Sequence, residues 1–385
     1  MTPSARVQAA IEILDQVIAS ARDDGPPADA IVAGYFKTRR YAGSKDRRAV
    51  RELVFSAIRH SAERPDSGRA AMLAIAPELF DGSPHGPAAV REGETGAKSG
   101  IVPHWLAAEL SPLVQASEQR ALLDRAPLDL RVNVARASRE AMLAQFEGSQ
   151  ATPLSPWGIR MPADSRVSDH AAFAAGLVEV QDEGSQLIAL ACWPADGERI
   201  LDLCAGAGGK ALALAAAAPG AEVIASDTNL RRLGNLPPRA DRAGARIATL
   251  LLDAPREAEG LRDLAGTCDL VLVDAPCSGS GTWRRNPEGR WRLAPERLER
   301  LIATQRRVLD LAAPLVRPGG RLVYAVCSLL AREGVGQASA FLSRHSSFIA
   351  TDTGLAAGRL DGVGRLLTPG HEGTDGFFIA RFDAS

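Results

Sequence analysis

Asp274, Cys277 and Cys327 are the residues of this 385-residue chain whose types and places most directly suggest chemistry. Asp274 and Cys277 fall in VDAPCSGSGTWRRNPEGRW (273–291) and Cys327 in YAVCS (324–328), each directly after a short apolar run. A single free cysteine is more often a packed core residue than a nucleophile. Two of them, both at strand ends and both flanked by small polar residues, reverse that expectation. A second cluster lies upstream in ILDLCAGAGGK (200–210), where Gly206, Gly208 and Gly209 let the backbone turn sharply before a helix. A glycine turn alone does not choose between cofactors. The absence of GK[ST] at the required spacing excludes a Walker loop, and the spacing is not the GxGxxG expected for a dinucleotide. Asp202 inside the strand end suits a cofactor with a cationic amino-acid tail better than a diphosphate, and Asp227, after the next strand, suits a ribose diol. S-adenosylmethionine is favoured over NAD. A thiol, an acid and a methyl donor together fit methylation of carbon 5 of a cytosine. That carbon attacks a sulfonium methyl only after a thiolate has added to carbon 6, with an acid supporting protonation at ring nitrogen 3. Loss of the carbon 5 proton and elimination of the thiolate complete the reaction, and a second thiol can assist release.

The elements that must position these groups can be read from periodicity. ERILDLCAGAGGKALALAAAAP (198–219) predicts strand, turn and helix, AEVIASDTN (221–229) a second strand, and the runs starting at 245, 268 and 320 three more, separated by helical stretches. Strands alternating with helices predict a parallel doubly wound sheet that binds ligands at its strand carboxyl ends. Upstream, 5–22 and 28–62 predict helices, the latter with Val50, Leu53, Val54, Ala57 and Ile58 at helical spacing. It also carries Lys37, Arg39, Arg40, Lys45, Arg47, Arg48 and Arg51, and residues 1–60 hold ten basic against seven acidic side chains. The segment 76–100 is rich in Gly, Pro and Ala and reads as a linker, 103–125 as a helix, and 127–180 as a small α/β module.

Composition narrows the class. An apolar fraction of 46% excludes a largely disordered chain, and a formal charge of -1 argues against a uniformly basic coat protein while leaving local patches open. Only four of the 45 basic residues are lysines, at 37, 45, 98 and 210. Five cysteines without a CxxC pair point to neither a zinc site nor a disulfide framework; Cys192 and Cys268 read as packing. With neither a long apolar run nor a signal-like start, a cytoplasmic, membrane-free protein is expected.

With these motifs in place the chain resembles the Sun/Fmu (RsmB-like) group of RNA cytosine-5 methyltransferases. The resemblance rests on FKTRRYAGSKDRRAVRELVF (36–55), PLDLRVNVARASREAMLAQF (127–146), GLVEVQDEGSQL (176–187), LDLCAGAGGK, DAPCSGSGTWRRNPEGRW, YAVCSL and DGFFIARF (375–382), in family order. It implies a NusB-like helical RNA-binding domain over 1–75, a linker over 76–100, a helical connector with an RRM-like module over 101–180, and a Rossmann-like class I methyltransferase domain over 181–385. It implies Cys327 as nucleophile, Cys277 as the residue assisting release, and Asp274 as the acid at the cytosine ring and the cofactor site. Cys204, Ala205, Gly206, Ala207, Gly208, Gly209 and Lys210, with Asp227 at the ribose and Asp253 at the adenine amine, would hold S-adenosylmethionine. Lys210 is expected to pair with a nearby acid.

Three departures stand out: CAGAGGKA for the commoner CAAPGGKT, Val326 for the threonine of TCS, and Glu333-Gly334-Val335 for ENE, which leaves one acid. Between Trp283 and Arg307 lie eight arginines and three glutamates, so Arg284, Arg285, Arg290 and Trp291 are expected to grip RNA, with a core role the competing reading for the tryptophans. The partner is expected to be ribosomal RNA of the small subunit, bound by a monomer. A nicotinamide-dependent dehydrogenase leaves both cysteines unexplained, a DNA substrate would not need the second cysteine, and the eroded motifs leave a catalytically weak RNA-binding assembly factor as the alternative.

Overall fold

The computed structural model describes residues 1–39, 41–162 and 165–385, so Arg40 lies outside the description. The chain forms two compact units. The first comprises Met1–Leu110, Val114–Arg125 and Thr282–Arg297, and the second Ser111–Leu113, Ala126–Gly281 and Leu298–Ser385.

The first unit is built on helices Pro3–Arg22, Ala28–Lys37, Ser44–His60 and Gly68–Leu73. The single helix expected over 28–62 is two: the first ends at Lys37, the Ala42 amide donates to Arg39 O, and the second starts from an extended Gly43. The apolar spacing from Val50 to Ile58 belongs to the second of them alone. The expected helix over 103–125 is a 3-10 turn, His104–Glu109, and a short helix, Ala116–Ala121. Pro112 between them cannot donate to a helical ladder, and Leu110 is extended. Residues 76–100 have little regular structure but stay within this unit. The Ala97 amide donates to Ala70 O, the Gly100 amide to His60 O, and Arg69 pairs with Glu94.

The arginine-rich segment Thr282–Arg297 belongs to this helical unit, which corrects its expected use. Trp283, Arg284, Arg290 and Trp291 are all buried, and Arg285 is half-buried. Arg290 donates to the carbonyls of Ile58 (2.6 Å), Arg59, Gly100, Ile101 (2.7 Å) and Pro287. Ile58 and Arg59 lie in the last turn of Ser44–His60, where orphan carbonyls carry the negative end of the helix dipole. Glu288 does the reverse, accepting from the Ala28 amide at the start of Ala28–Lys37. Trp291 packs into the helical core and donates from Nε1 to Ser61 O. Buried carbonyls and core side chains, not phosphates and bases, engage Arg290 and Trp291, and burial takes Arg284 away from the surface as well.

The second unit holds two sheets. The smaller contains β1 (Leu128–Val132), β2 (Gln150–Ala151), β3 (Gly158–Met161) and β4 (Val178–Val180), antiparallel in the order β2-β3-β1-β4. Helices Arg139–Leu143 and Ala171–Ala174 follow β1 and β3, completing the RRM-like βαββαβ order. The larger contains the five strands read from the sequence, β5 (Arg199–Asp202), β6 (Glu222–Asp227), β7 (Ile247–Leu251), β8 (Cys268–Asp274) and β9 (Val316–Val326). These run parallel in the order β7-β6-β5-β8-β9. The antiparallel strands β10 (Phe348–Thr351), β11 (Arg359–Asp361), β12 (Gly364–Leu367) and β13 (Phe377–Ala384) extend it, with β13 pairing to β9. Leu201, Val271, Leu272, Val323 and Tyr324 are fully buried, as strands covered on both faces require. Order reverses at β5, which has β6 on one side and β8 on the other, so the ligand crevice opens between the carboxyl ends of β5 and β8. No helix among the described residues is long and apolar enough to cross a membrane.

With Arg290 structural, Arg290→Ala should lower stability by at least about 1.5–3 kcal/mol, the range for a single hydrogen bond to a charged group. It should also speed hydrogen exchange in Ser44–His60. Unchanged exchange there would refute the assignment.

Candidate active site

The chain leaves β5 at Asp202 and turns through Leu203–Gly208 into helix Gly209–Ala217. Gly206 and Gly208 have φ of +58° and +77°. Those left-handed conformations favour glycine at both positions, and a Cβ there would also have to displace the ends of the Arg232 and Leu236 side chains. The turn is held from outside. Its Gly206 amide donates to Asp227 Oδ2 (2.8 Å) and its Ala205 amide to Ser226 O. Arg131 of β1 donates to Gly209 O (2.8 Å) and to Gln181 Oε1, and Arg239 donates to Ala207 O. Ala207 stands where the commoner motif has proline, and these bonds supply rigidity that the ring would have given.

Three carboxylates meet the crevice. Asp227 is buried and accepts from the Gly206 and Asn229 amides through different oxygens, leaving acceptor capacity on each. Asp202 is fully buried, and neither of its oxygens has a hydrogen-bond partner among the described residues. Burial first, and the charge of Asp274 second, push its carboxyl up to about 7. Asp274 ends β8, with Oδ2 2.6 Å from Lys210 Nζ. Burial alone would depress the Lys210 ammonium, but the charge and hydrogen bond of Asp274, with the charge of Asp202, hold it above its usual value. Acids at the ends of β5, β6 and β8 would repel a diphosphate, whereas an orphaned buried carboxylate and a half-used one suit an ammonium and a diol. The residues therefore fit S-adenosylmethionine. Asp253 is not drawn into this group: it is exposed just past β7 and paired with Arg256.

The two chemically distinctive thiols are brought together. Cys277 Sγ and Cys327 Sγ are 3.3 Å apart, and the Gly281 amide donates to Cys327 O. The hydrogen bond to Cys327, then burial, then the charges of Cys327 and Glu333 raise the Cys277 thiol well above the usual range. Burial also pushes up Cys204 and Cys192, and Cys268 to about 11, so these three stay protonated. Val326 is fully buried, so replacing threonine there removes a hydroxyl from the core.

The sequence reading undervalued Glu333. Its fully buried carboxylate accepts from the Ser278 amide (2.9 Å), the Ser278 and Ser328 hydroxyls, and Gln305 Nε2 (2.8 Å). Gln305 also donates to Pro276 O, and Tyr324 Oη to Glu333 O. The available signal was the Cys-Ser pair, present at both 277–278 and 327–328.

A β7-β6-β5-β8-β9 parallel sheet with an antiparallel β13 beside β9, and an acid-lined crevice at its switch point, defines a methyltransferase domain of the doubly wound class. The model of the family described as 16S rRNA methyltransferase RsmB/F matches residues 189–383. Ribosomal RNA small subunit methyltransferase B of Xylella fastidiosa (strain 9a5c) is 37% identical over 292 residues, 72% of this chain and 68% of that protein. The chain belongs to this family. About a third of that relative lies outside the alignment. Two solved structures share the fold. The protein titled PH0851 matches with a TM-score of 0.79 at 21% identity, covering 99% of both chains. A methyltransferase homolog from Pyrococcus horikoshii matches with 0.61 at 25% identity, covering 72% of this chain and 92% of its own.

Asp202 provides a pH test. Its carboxyl titrates near 7 when folded and near 3.8 when free, so its stabilisation is complete below the free value and is lost as pH rises through about 7. The melting temperature of wild type minus that of Asp202→Asn should fall between pH 4 and 7 and level off above 8. A difference independent of pH would show that the carboxyl is not perturbed.

Proposed function

We propose that this protein transfers the methyl group of S-adenosylmethionine to carbon 5 of a cytosine in small-subunit ribosomal RNA, in the cytoplasm. The observation that carries the reading is the pair of sulfurs 3.3 Å apart at the ends of β8 and β9, next to the bridge between Asp274 and Lys210. The Cys204–Lys210 turn, Asp227 and Asp202 would hold the cofactor, which would supply an electrophilic methyl.

The chain's own groups prepare the base. Cys327 adds to carbon 6. Asp274, hydrogen-bonded to the Lys210 ammonium, is the acid assigned to the ring nitrogen 3 edge, where the bridge would support the proton that makes carbon 5 nucleophilic. Once the methyl is in place and the carbon 5 proton has passed to solvent, the Cys327–carbon 6 bond breaks and its electron pair returns to sulfur as a thiolate. Cys277, held as a thiol beside Cys327, donates a hydrogen bond to the departing thiolate. Asp253 pairs with Arg256 through one oxygen, which leaves the other for the adenine contact assigned to it. The small-subunit target is supported by the family's description and by the ribosomal RNA small subunit methyltransferase of Xylella fastidiosa. The base must leave its stack to meet a half-buried thiol, which favours loop or single-stranded RNA.

Labelled S-adenosylmethionine and RNA from a strain lacking the protein test this directly. Cys327→Ser should abolish incorporation, by 10³-fold or more on the order expected for loss of a nucleophile. Cys277→Ser should accumulate a protein–RNA adduct that the double variant does not form. Incorporation unaffected by Cys327→Ser would sink the assignment, and no incorporation by wild type into any RNA would favour a binding role in ribosome assembly.

A further inference from the structure

Glu333 lies in the loop that follows β9, six residues after Cys327, yet its carboxylate also holds the Cys277 loop after β8. Oε1 accepts from the Ser278 amide and from Gln305, and Oε2 from the Ser278 and Ser328 hydroxyls. Ser278 follows Cys277 and Ser328 follows Cys327, so each cysteine is one peptide unit from an anchor on the same group. Ser280 closes the arrangement, with Oγ 3.1 Å from Ser328 Oγ and accepting from the Leu329 amide. Gln305 fixes the residue before Cys277 through Pro276 O. Four donors on two oxygens are more than a neutral side chain of this size could accept, and no part of the methyl-transfer chemistry calls on them.

We propose that Glu333 is a positioning residue for the thiol pair: it ties the loops after β8 and β9 to one buried carboxylate and so sets the separation of Cys277 and Cys327. The inference rests on the two-cysteine reading above for its purpose, but its geometry can be tested without methyl transfer. A helper thiol can assist the departing sulfur only while the two stay in contact. Strand pairing, the Gly281 amide on Cys327 O and the Ser280 contacts bring the two loops together, and Glu333 adds ties on the residues directly after each cysteine. Glutamine at 333 can preserve the arrangement, with its carbonyl facing the Ser278 amide and Gln305, and its amide facing hydroxyls that can rotate to accept. Alanine cannot.

The separation can be read with diamide, an oxidant that takes two electrons and two protons from neighbouring thiols, forming the Cys277–Cys327 sulfur–sulfur bond and the corresponding hydrazine. Disulfide formation in the full-length protein would be followed by mass spectrometry, with alkylation of Cys327 by iodoacetamide reporting access alone. Glu333→Ala should slow disulfide formation at least tenfold without slowing alkylation, and Glu333→Gln should remain within about threefold of wild type. In RNA assays Glu333→Ala should form adduct yet release it slowly, as Cys277→Ser does. Disulfide formation in Glu333→Ala at the wild-type rate would overturn the proposal. Should that variant fail to fold, Ser278→Ala and Ser328→Ala each remove an anchor, and wild-type oxidation in both together would overturn it equally. Slow oxidation of Glu333→Ala in a protein that methylates no RNA would refute the proposed function and leave the positioning role standing. Wild-type oxidation with intact methylation would do the opposite.

Discussion

The crevice depends on the Lys210 ammonium. Asp202, Asp227 and Asp274 end three neighbouring parallel strands, a concentration of like charge that a largely buried site would not tolerate unaided. Lys210 begins the helix after the glycine turn, and from there it bonds Asp274 at 2.6 Å while its charge also acts on Asp202. The strain left over is visible in Asp202, which remains without a hydrogen-bond partner among the described residues and titrates near neutrality. A crevice with that residual demand suits a cation, and a sulfonium cofactor with an amino-acid tail carries one net positive charge, its sulfonium and ammonium being partly offset by its carboxylate. The scarcity of lysine in the chain made position 210 conspicuous, and the bridge explains why a long flexible ammonium serves there.

Most of the catalytic unit was legible because its central strands β5, β6 and β8 are buried on both faces and read as apolar runs, each followed by its turn. Asp202, Asp227, Asp274, Cys277 and Cys327 could be placed at strand ends on that basis alone. Two helix boundaries were not legible: Gly43 and Pro112 interrupt stretches whose flanking residues keep a helical look, and periodicity over a long window averages across such breaks. Asp253 was placed at the right strand end, but its pairing with Arg256 in the same turn depends on side-chain geometry that spacing does not show.

The arginine-rich stretch failed for a different reason. Charge density is visible in a sequence and burial is not. Arginine forks that match phosphate oxygens match helix-terminal carbonyls equally well, and in Thr282–Arg297 the basic Arg290 meets the end of one helix while the acidic Glu288 meets the start of another. The even balance of acids and bases in the whole chain thus hides much internal use: Arg131, Arg239, Arg290 and Arg292 are all engaged with backbone carbonyls. Such a segment begins at Thr282, immediately after the Cys277 loop leaves the catalytic unit at Gly281, so the sequence motif DAPCSGSGTWRRNPEGRW spans two units with two tasks.

The motif departures look like erosion only when letters are compared. Where proline is missing from the cofactor turn, Arg239 and Arg131 grip the adjoining carbonyls and Asp227 grips the Gly206 amide, so the turn is fixed by bonds in place of a ring. Where threonine is missing before Cys327, the side chain at Val326 faces no solvent, and an apolar group there avoids burying a hydroxyl. Where two acids have become one, the one retained is Glu333, which reaches both cysteine loops at once. A site under no demand for geometry would lose its buried polar residues readily, because an uncompensated buried carboxylate is costly. Here that carboxylate is retained and met by hydrogen-bond donors from both cysteine loops and from Gln305, which is the pattern expected of a site whose sulfur positions are still constrained.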